Sequence, residues 1–392
     1  MSEITWPNQP PADAPFARSS AFGNIVFTGR HAQYTNADTW YPSWALDGNL
    51  YSPWTDGEVN GVWSLSFNQR AMSTFVGHLD EDAPAATGQA KIVGDDPLNL
   101  EVINLGVFPG DPSPYGGRYP CASLVYHGVW YYGTYTLDDI RGPCGNWCTL
   151  GPFVGFRYST DFGVHWTDTS HTPASPLFGE SGKNGGRVKI GTPHVVDFGR
   201  NMAHSPDGNA YLVGHGTTRP AGFANWIAGD QVYLVRVTPS IETINDPAAY
   251  EFFAGHDAHG RPLWAKDVAA SRPLLDWTNH LGCVTATYNA PLQKYLMCVC
   301  RPTDGFTSTG TYDTMILEAD ALTGPWRLIH YLPQFGRQAY FVNIPSKFIS
   351  ADGRTMWLCY SANFSEHLKI PQESQPPGSQ YSMCLHEFYL AT

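Results

Sequence analysis

The chain has 392 residues, of which 42% are hydrophobic and 15% are charged, a composition typical of a soluble globular protein with a substantial core. Its net charge of −12 argues against nucleic acid as a partner and against an anionic membrane surface, whereas a neutral glycan is compatible with it. No apolar run approaches the ~18 residues of a membrane span, so we expect no membrane partner.

The N-terminus lacks the basic n-region and the apolar h-region that mark a signal peptide. We expect a secreted protein whose signal peptide has been removed, with a cytoplasmic location as the alternative.

Glycine (39), proline (31) and aromatic residues (14%) are abundant, and these are the residues that form turns and strands in all-β proteins. Amphipathic helical periodicity is hard to find. No linker, charge block or low-complexity tract divides the chain, so residues 1–392 are predicted to form a single all-β domain.

Residues 36–60 predict a β-hairpin, because an Asp47-Gly48 turn lies between two aromatic-rich extended runs. Folding the two runs back on that turn brings Asp38 level with Asp56. Two carboxylates at one end of a hairpin are suited to acid and base work on a glycosidic bond, so Asp38 and Asp56 are the predicted catalytic residues. The alternative is that Asp38 caps a loop and Asp56 belongs to an ordinary turn.

Two tryptophans flank this acid pair in the sequence. Trp40 follows Asp38 and Trp54 precedes Asp56. Indole faces beside paired acids form a platform for the apolar face of a sugar, so both are predicted to bind substrate.

A similar unit, an extended stretch, a turn and an aromatic strand, returns along the chain. The copies lie at 41–54, 122–135, 194–216, 282–300 and 341–361. Each is followed by further strand-like runs, which predicts a five-bladed β-propeller with blades near 36–110, 115–175, 190–265, 275–335 and 338–392. The fifth copy is one strand short, and we expect residues 22–29 to complete it by pairing the two chain ends. Six or seven blades remain the alternative.

Residues 159–166 match the Asp-box turn of sialidase-type propellers, with Ser159, Asp161, Gly163 and Trp166 at the motif positions. In that motif the aspartate holds the turn and the tryptophan packs between strands. Asp161 is therefore predicted to be structural.

The innermost strands of a propeller converge on its axis, so the residues that open them share one funnel. These openings add four predicted substrate-binding residues, which are Tyr119, His194, His280 and Asn343. Two further candidates complete the substrate-binding set. His127 lies in the second turn, and Arg337 could clamp a uronate carboxylate or otherwise form a salt bridge on the rim.

The eight cysteines predict no zinc site, since Cys144 and Cys148 have loose spacing and no second pair completes a set. Those two could instead pair across a loop. We expect no metal in the catalytic site and no cofactor, with a structural or channel Ca²⁺ ion as the open alternative.

At the Asp38 hairpin the sequence resembles the endo-D-arabinanase family of five-bladed propeller glycosidases. That family carries an Asp-containing opening, a D-G-x-x-Y turn and a second Asp, which here are Asp38, residues 47–51 and Asp56. The resemblance is close over about 25 residues and implies hydrolysis of an arabinan-type glycan. The chain departs from the wider arabinanase and xylosidase group, which places further acids on blades two and three.

Two other function classes fit the sequence. Propeller polysaccharide lyases of the rhamnose-glucuronate and ulvan type, to which the chain has a distant likeness, use His and Tyr for β-elimination, and this chain has 14 His and 21 Tyr. A non-catalytic sugar-binding propeller would use the aromatics without needing Asp38 and Asp56 together.

Overall fold

The computed structural model describes residues 2–66, 86–109, 118–137, 149–182, 187–219, 224–303, 310–363 and 374–391. The candidate pair Cys144 and Cys148 lies outside these residues. The described cysteines are all buried free thiols.

Regular structure in these ranges is almost entirely β-strand. In chain order the strands are β1 (Asn24–Gln33), β2 (Asn36–Asp38), β3 (Ser43–Trp44), β4 (Leu50–Val59), β5 (Val62–Ser64), β6 (Ala86–Val93), β7 (Glu101–Pro109), β8 (Arg118–Tyr126), β9 (Val129–Leu137), β10 (Thr149–Ser159), β11 (Val188–Val195), β12 (Ala210–Thr217), β13 (Ala228–Val237), β14 (Glu251–His256), β15 (Pro262–Ala265), β16 (Leu275–Asn289), β17 (Lys294–Pro302), β18 (Tyr312–Ala319), β19 (Arg327–Leu332), β20 (Tyr340–Asn343), β21 (Thr355–Ser361) and β22 (Cys384–Ala391). The helical elements among the described residues are three-residue 3-10 turns, at Arg200–Met202, Pro247–Ala249, Val268–Ala270 and Ser346–Phe348. None of them has the length and apolarity that crossing a bilayer requires.

The strands form antiparallel sheets that follow one another along the chain, which confirms the all-β prediction. We divide them into five units, numbered one to five in chain order. The units are β2-β4-β6-β7 with β3 and β5, β8-β9-β10, β11-β12-β13 with β14 and β15, β16-β17-β18-β19, and β20-β21-β22-β1. Pairing of β13 with β16 joins units three and four into one sheet.

The N-terminal strand belongs to the last unit, as predicted from the missing strand of the fifth repeat. β1 pairs antiparallel with β22, from Asn24 opposite Ala391 to Gln33 opposite Cys384. It begins two residues later and ends four residues later than the predicted range of 22–29. Ile25 and Phe27 are buried in the core of units four and five, so the strand contributes apolar packing as well as backbone pairing.

Hydrogen bonds link each unit to the next, and the fifth unit to the first. They are Val125 N–H to Ser43 Oγ (2.8 Å), His127 N–H to Asn201 Oδ1 (2.7 Å), Asp197 N–H to the Ala286 carbonyl (2.9 Å), Thr285 Oγ1 to the Val342 carbonyl (2.7 Å) and Asn343 Nδ2 to the Trp40 carbonyl (2.9 Å). A small cavity is lined by the first strand or strand opening of every unit, with Tyr41, Ser123, His194, Thr285 and Asn343 in its wall. Residues from all five units therefore border this one cavity.

The Asp-box turn has the structural role that the sequence predicts. Asp161 Oδ1 accepts the main-chain N–H of His165 at 2.8 Å, and Ser159 Oγ accepts that of Gly163 at 2.8 Å. The Trp166 ring packs 5.2 Å from that of Trp130. Asp161 thus stabilises a turn and takes no part in the site described below.

Candidate active site

The predicted hairpin is present and places the two acids at one end. β3 pairs with β4 beside the Asp47-Gly48 turn, and β2 pairs with the far end of β4 so that Asp38 lies opposite Thr55. Since Asp56 is the next residue, the carboxyl groups of Asp38 and Asp56 come from adjacent strands at the same level.

The backbone is irregular at this level in several units. Thr39 and Asp56 have φ values of 62° and 49°, in the left-handed region that non-glycine residues rarely adopt. Thr192 in unit three and Phe341 in unit five have φ values of 41° and 49°, each beside a register shift like the one between β2 and β4. Bulges of this kind re-aim side chains at strand ends and are common beside functional sites.

Two tyrosines from unit five hold the carboxyl group of Asp38. The hydroxyl groups of Tyr340 and Tyr381 both lie within hydrogen-bond distance of Asp38 Oδ2, that of Tyr381 at 3.0 Å. Oδ1 has no hydrogen-bond partner in the described part of the chain, although Asp38 is only 3% exposed. The neighbouring Thr39 hydroxyl donates to the Asp38 main-chain carbonyl (2.7 Å). Oδ1 is therefore the side of the carboxyl group on which a ligand could bind.

Asp56 has a different set of donors. Its Oδ1 accepts the main-chain N–H of Ser66 at 2.7 Å and the Ser66 hydroxyl at 3.0 Å. The Tyr381 hydroxyl, which contacts Asp38, also donates to the main-chain carbonyl of Asp56. Asp56 is 8% exposed, so both acids lie in a largely desolvated site.

Both carboxyl groups bind protons more tightly than usual. Burial, reinforced by the nearby Asp56 carboxylate, raises the pKa of Asp38 well above its ordinary value, although the tyrosine hydroxyls oppose the shift. Burial raises the pKa of Asp56 to about 6, against the opposing hydrogen bonds from Ser66 and Thr55. Neighbouring acids with pKa values raised to different extents are suited to act as a proton donor and a proton acceptor.

Further tyrosines surround the acid pair. Burial is the largest cause that raises the pKa of Tyr41, Tyr119 and Tyr135, and the Asp38 carboxylate adds to it in each case. These phenols are therefore protonated near neutral pH and act as hydrogen-bond donors rather than as bases. Tyr41 Oη is buried and no described residue forms a hydrogen bond with it, so it is a second polar atom at this site that a ligand could satisfy.

The structure corrects the expected sugar platform. Trp40 and Trp54 are 2% and 0% exposed and belong to a core cluster of units one and five. The Trp54 ring lies directly against Gly88, where an added Cβ would come within 2.1 Å of Trp54 Cε2. Both indoles thus pack in the core beneath the surface of the hairpin, and neither ring face is exposed to a sugar.

Trp226 is an aromatic residue near the acid pair that was not predicted from the sequence. Its half-buried indole packs edge-on against Tyr340, with ring centroids 5.5 Å apart, and lies 6.0 Å from Phe341. Through Tyr340 it neighbours the Asp38 carboxyl group. No local pattern near residue 226 indicates this position, because the contact joins unit three to unit five.

His194 and Asn343 are brought together in the wall of the central cavity. The His194 ring lies 4.2 Å from that of Tyr41, and its Nε2 has no hydrogen-bond partner within the described ranges. Burial lowers the pKa of His194 to about 3, so the imidazole is neutral. Asn343 Nδ2 donates to the carbonyls of Trp40, Phe341 and Cys359 and thereby ties unit five to unit one.

A Ca²⁺ ion takes six to eight oxygen ligands, and a Ca²⁺ ion in this cavity stays a prediction. The described carboxylate of the cavity wall, Asp197, already accepts hydrogen bonds from Gly199 and Ser346. Within the described ranges, no three His, Cys, Asp or Glu side chains come together as a metal site.

The other predicted binding residues lie in different surroundings. Tyr119 stacks on Tyr135, with ring centroids 5.4 Å apart, near the acid pair. His280 stacks on Trp277 at 4.1 Å, and its Nδ1 lies 2.7 Å from the Thr278 carbonyl. These described contacts of His280 are with its own strand rather than with the acid pair.

His127 and Arg337 are not brought into contact with the acids by the contacts described. His127 occupies the turn between β8 and β9, at the opposite end of that hairpin from Tyr119. Arg337 is half-buried, and its main-chain carbonyl accepts the N–H of Asn363 at 2.8 Å. The roles predicted for both side chains in substrate binding stay predictions.

No protein-family model matches the chain, and no curated protein matches its sequence. Among solved structures, a GH43_1 enzyme from Xanthomonas citri is similar at 14% identity and a TM-score of 0.46, covering 92% of this chain and 89% of that one. An exo-1,5-α-L-arabinanase from a bovine ruminal metagenomic library is similar at 11% identity and a TM-score of 0.44, covering 91% and 94%. A protein from Bacteroides ovatus is similar at 12% identity and a TM-score of 0.48, covering 97% and 95%. Similarities this low assign the chain neither a family nor a substrate.

Proposed function

We propose that the protein hydrolyses a glycosidic bond, with Asp38 as general acid and Asp56 as base or nucleophile. The observation that carries the proposal is the acid pair itself. Two buried carboxyl groups from adjacent strands hold protons with different strength and are each supported by their own hydroxyl or N–H donors. A pair of carboxyl groups is the minimal machinery of glycoside hydrolysis.

The two roles follow from the two environments. Burial and the Asp56 carboxylate raise the pKa of Asp38 well above its ordinary value, so Asp38 is proposed as the proton donor that a general acid must be. Asp56 has a pKa of about 6 and is therefore mostly ionised above that pH, as a base or nucleophile must be. Because the carboxyl groups of Asp38 and Asp56 interact, the two pKa values seen in a pH profile describe the pair rather than either residue alone.

The five units are proposed to be the blades of a five-bladed propeller. Contacts from each unit to the next and from unit five to unit one support a closed ring, as does the cavity lined by all five units. In such a ring the acid pair lies between units one and five, since Asp38 ends β2 and contacts Tyr340 at the start of β20.

An arabinan-type glycan is the proposed substrate class. The resemblance of the Asp38 hairpin to endo-D-arabinanases supports it. Trp226 is proposed to take the place of Trp40 and Trp54 as the aromatic surface for the sugar, because its indole is half-buried and neighbours Tyr340.

A lyase mechanism is disfavoured because the tyrosines of the site hold their protons. Burial and the neighbouring carboxylates make the tyrosines of the site poor bases, because they raise the phenol pKa values. The neutral His194 lies in the central cavity, where it packs against Tyr41 and Phe341.

The pH dependence of activity follows from the two carboxyl groups. We expect kcat/KM to rise as Asp56 ionises around pH 6, and to fall at higher pH as Asp38 loses its proton. Initial rates from about pH 4 to pH 10 measure both limbs. Activity that keeps rising toward the acid end would contradict Asp56 as the ionised partner.

A screen of plant and bacterial glycans tests the reaction class, and we expect an arabinan-type glycan to give the strongest signal. Each reaction is assayed for new reducing ends and for the ultraviolet absorbance of an unsaturated uronate. Reducing ends without that absorbance are expected. The unsaturated product would overturn the hydrolase proposal in favour of the lyase, and binding without any product would favour the sugar-binding alternative.

A further inference from the structure

The two oxygens of the Asp38 carboxyl group lie in opposite environments. Oδ2 faces the hydroxyl groups of Tyr340 and Tyr381, whereas Oδ1 has no hydrogen-bond partner among the described residues and is shielded from water. A carboxylic acid has one hydroxyl oxygen and one carbonyl oxygen, and hydroxyl donors prefer the carbonyl oxygen as acceptor. The surroundings of Asp38 therefore favour one of its two protonated forms, which carry the proton on Oδ1 or on Oδ2.

We propose that Tyr340 and Tyr381 are positioning residues that donate to Asp38 Oδ2 and so hold the acidic proton on Oδ1, the oxygen that faces the substrate. This inference rests on the proposed function, and it concerns how the acid is prepared rather than which bond is cleaved. Neither tyrosine touches the reacting atoms.

In the proposed step, the Asp38 Oδ1–H bond breaks and the proton passes to the glycosidic oxygen. The electron pair of the breaking bond between the anomeric carbon and that oxygen stays with the leaving alcohol. Asp56 either bonds to the anomeric carbon or takes a proton from the attacking water. Asp38 is left as a carboxylate, and the two tyrosine hydroxyls stabilise its charge at Oδ2.

Tyr381 has one hydroxyl proton, and the described acceptors within its reach include Asp38 Oδ2 and the main-chain carbonyl of Asp56. The reverse arrangement would have Tyr381 donate to Asp56 and accept the proton of Asp38 from Oδ2. The two arrangements predict opposite effects of removing the hydroxyl. In the proposed one the donors favour ionised Asp38, and their removal raises its pKa; in the reverse one, removal lowers it.

The test uses Tyr340→Phe and Tyr381→Phe, which keep the rings and remove only the hydroxyl groups. Tyr360→Phe is the matched control, because its buried hydroxyl in the same unit bonds Ser379 and His386 instead. Rates are measured on aryl glycosides of the sugar that the glycan screen identifies, with leaving groups of graded pKa. We expect each site variant to lose about tenfold in kcat with a poor leaving group and less than about twofold with an activated one, which needs little acid assistance.

The alkaline limb of the pH profile is expected to move to higher pH in both site variants and to stay in place in Tyr360→Phe. A limb that moves to lower pH in Tyr381→Phe, or equal losses across all leaving groups, would overturn the inference. Neither result would affect the proposed function, which fails instead if Asp38→Asn and Asp56→Asn both retain full activity.

A second readout needs no substrate. The infrared carbonyl band of protonated Asp38 is identified as the band that disappears in Asp38→Asn. If Oδ2 is the carbonyl oxygen and accepts both tyrosine hydroxyls, that band moves to higher frequency in each Tyr→Phe variant. An unchanged frequency in both variants would overturn the inference, and either variant alone suffices if the other fails to fold.

Discussion

Replacing Asp38 or Asp56 with asparagine is expected to lower kcat by about a hundredfold to ten-thousandfold while the fold stays intact. Asparagine keeps the shape and most hydrogen bonds of each side chain, so Tyr340, Tyr381 and Ser66 retain a partner. It cannot donate an acidic proton at position 38, and it cannot act as a carboxylate base or nucleophile at position 56. Steady-state kinetics on the glycan found in the screen measures the loss.

The control for these variants is Asp47→Asn. Asp47 lies in the turn of the same hairpin, at the end away from the acids, where it bonds Asn49 and Tyr51. We expect kcat to stay within about twofold of the unmodified protein, since nothing in the proposed chemistry involves Asp47. A loss in Asp47→Asn as large as that in Asp38→Asn would show that the hairpin responds to any change in charge, and the catalytic assignment would then be lost.

Thermal stability gives a second check on the acid pair. The folded-state pKa of Asp56 is raised, so the folded protein binds this proton more tightly than the unfolded chain does. Ionisation of Asp56 therefore has no effect on the free energy of unfolding below about pH 4, near its pKa in the unfolded chain. It becomes unfavourable to the folded state as the pH rises through about 6, its pKa in the folded protein. We expect Asp56→Asn to gain stability relative to the unmodified protein across this window, with a similar trend for Asp38→Asn.

The acid pair could be predicted because it is local. An Asp-Gly turn fixes the register of the hairpin, and the register alone brings position 38 level with position 56. The tyrosines that hold Asp38 could not be predicted in this way. Tyr340 and Tyr381 lie 302 and 343 residues further along the chain, and only the contact of the last unit with the first brings them to Asp38.

Burial was harder to predict than proximity. Sequence spacing shows that Trp40 and Trp54 are near the acids but not on which side of the hairpin they lie, and β4 is buried on both faces over most of its length. The distance along the strand between His280 and the cavity was also hard to predict. β16 is a 15-residue strand that begins at Leu275, so it is Thr285, rather than His280, that reaches the cavity wall with His194 and Asn343.

The second large effect that we expect is loss of the folded state when residues 1–33, including all of β1, are removed. The deletion exposes the backbone edge of β22 and removes the side chains of Ile25 and Phe27 from the core of units four and five. Burial of each contributes about 2–3 kcal/mol, and the two together approach the ~5–15 kcal/mol net stability of a typical domain. Circular dichroism should show no cooperative melting transition, and adding a peptide of residues 1–33 should restore one.

Point variants within the same strand separate packing from surface effects. Phe27 is buried and stacks on Phe335 with ring centroids 5.6 Å apart, whereas Arg30 is exposed and forms an ion pair with Glu387 at 2.6 Å. We expect Phe27→Ala to destabilise the protein by about 3–5 kcal/mol. Arg30→Ala should cost less than Phe27→Ala, since the Arg30 side chain is 47% exposed and Thr28 Oγ1 still donates to the buried Glu387 carboxylate. If the truncated chain kept its melting temperature, or if the two point variants were equally stable, β1 would be dispensable for unit five, and the proposed ring would have to close without it.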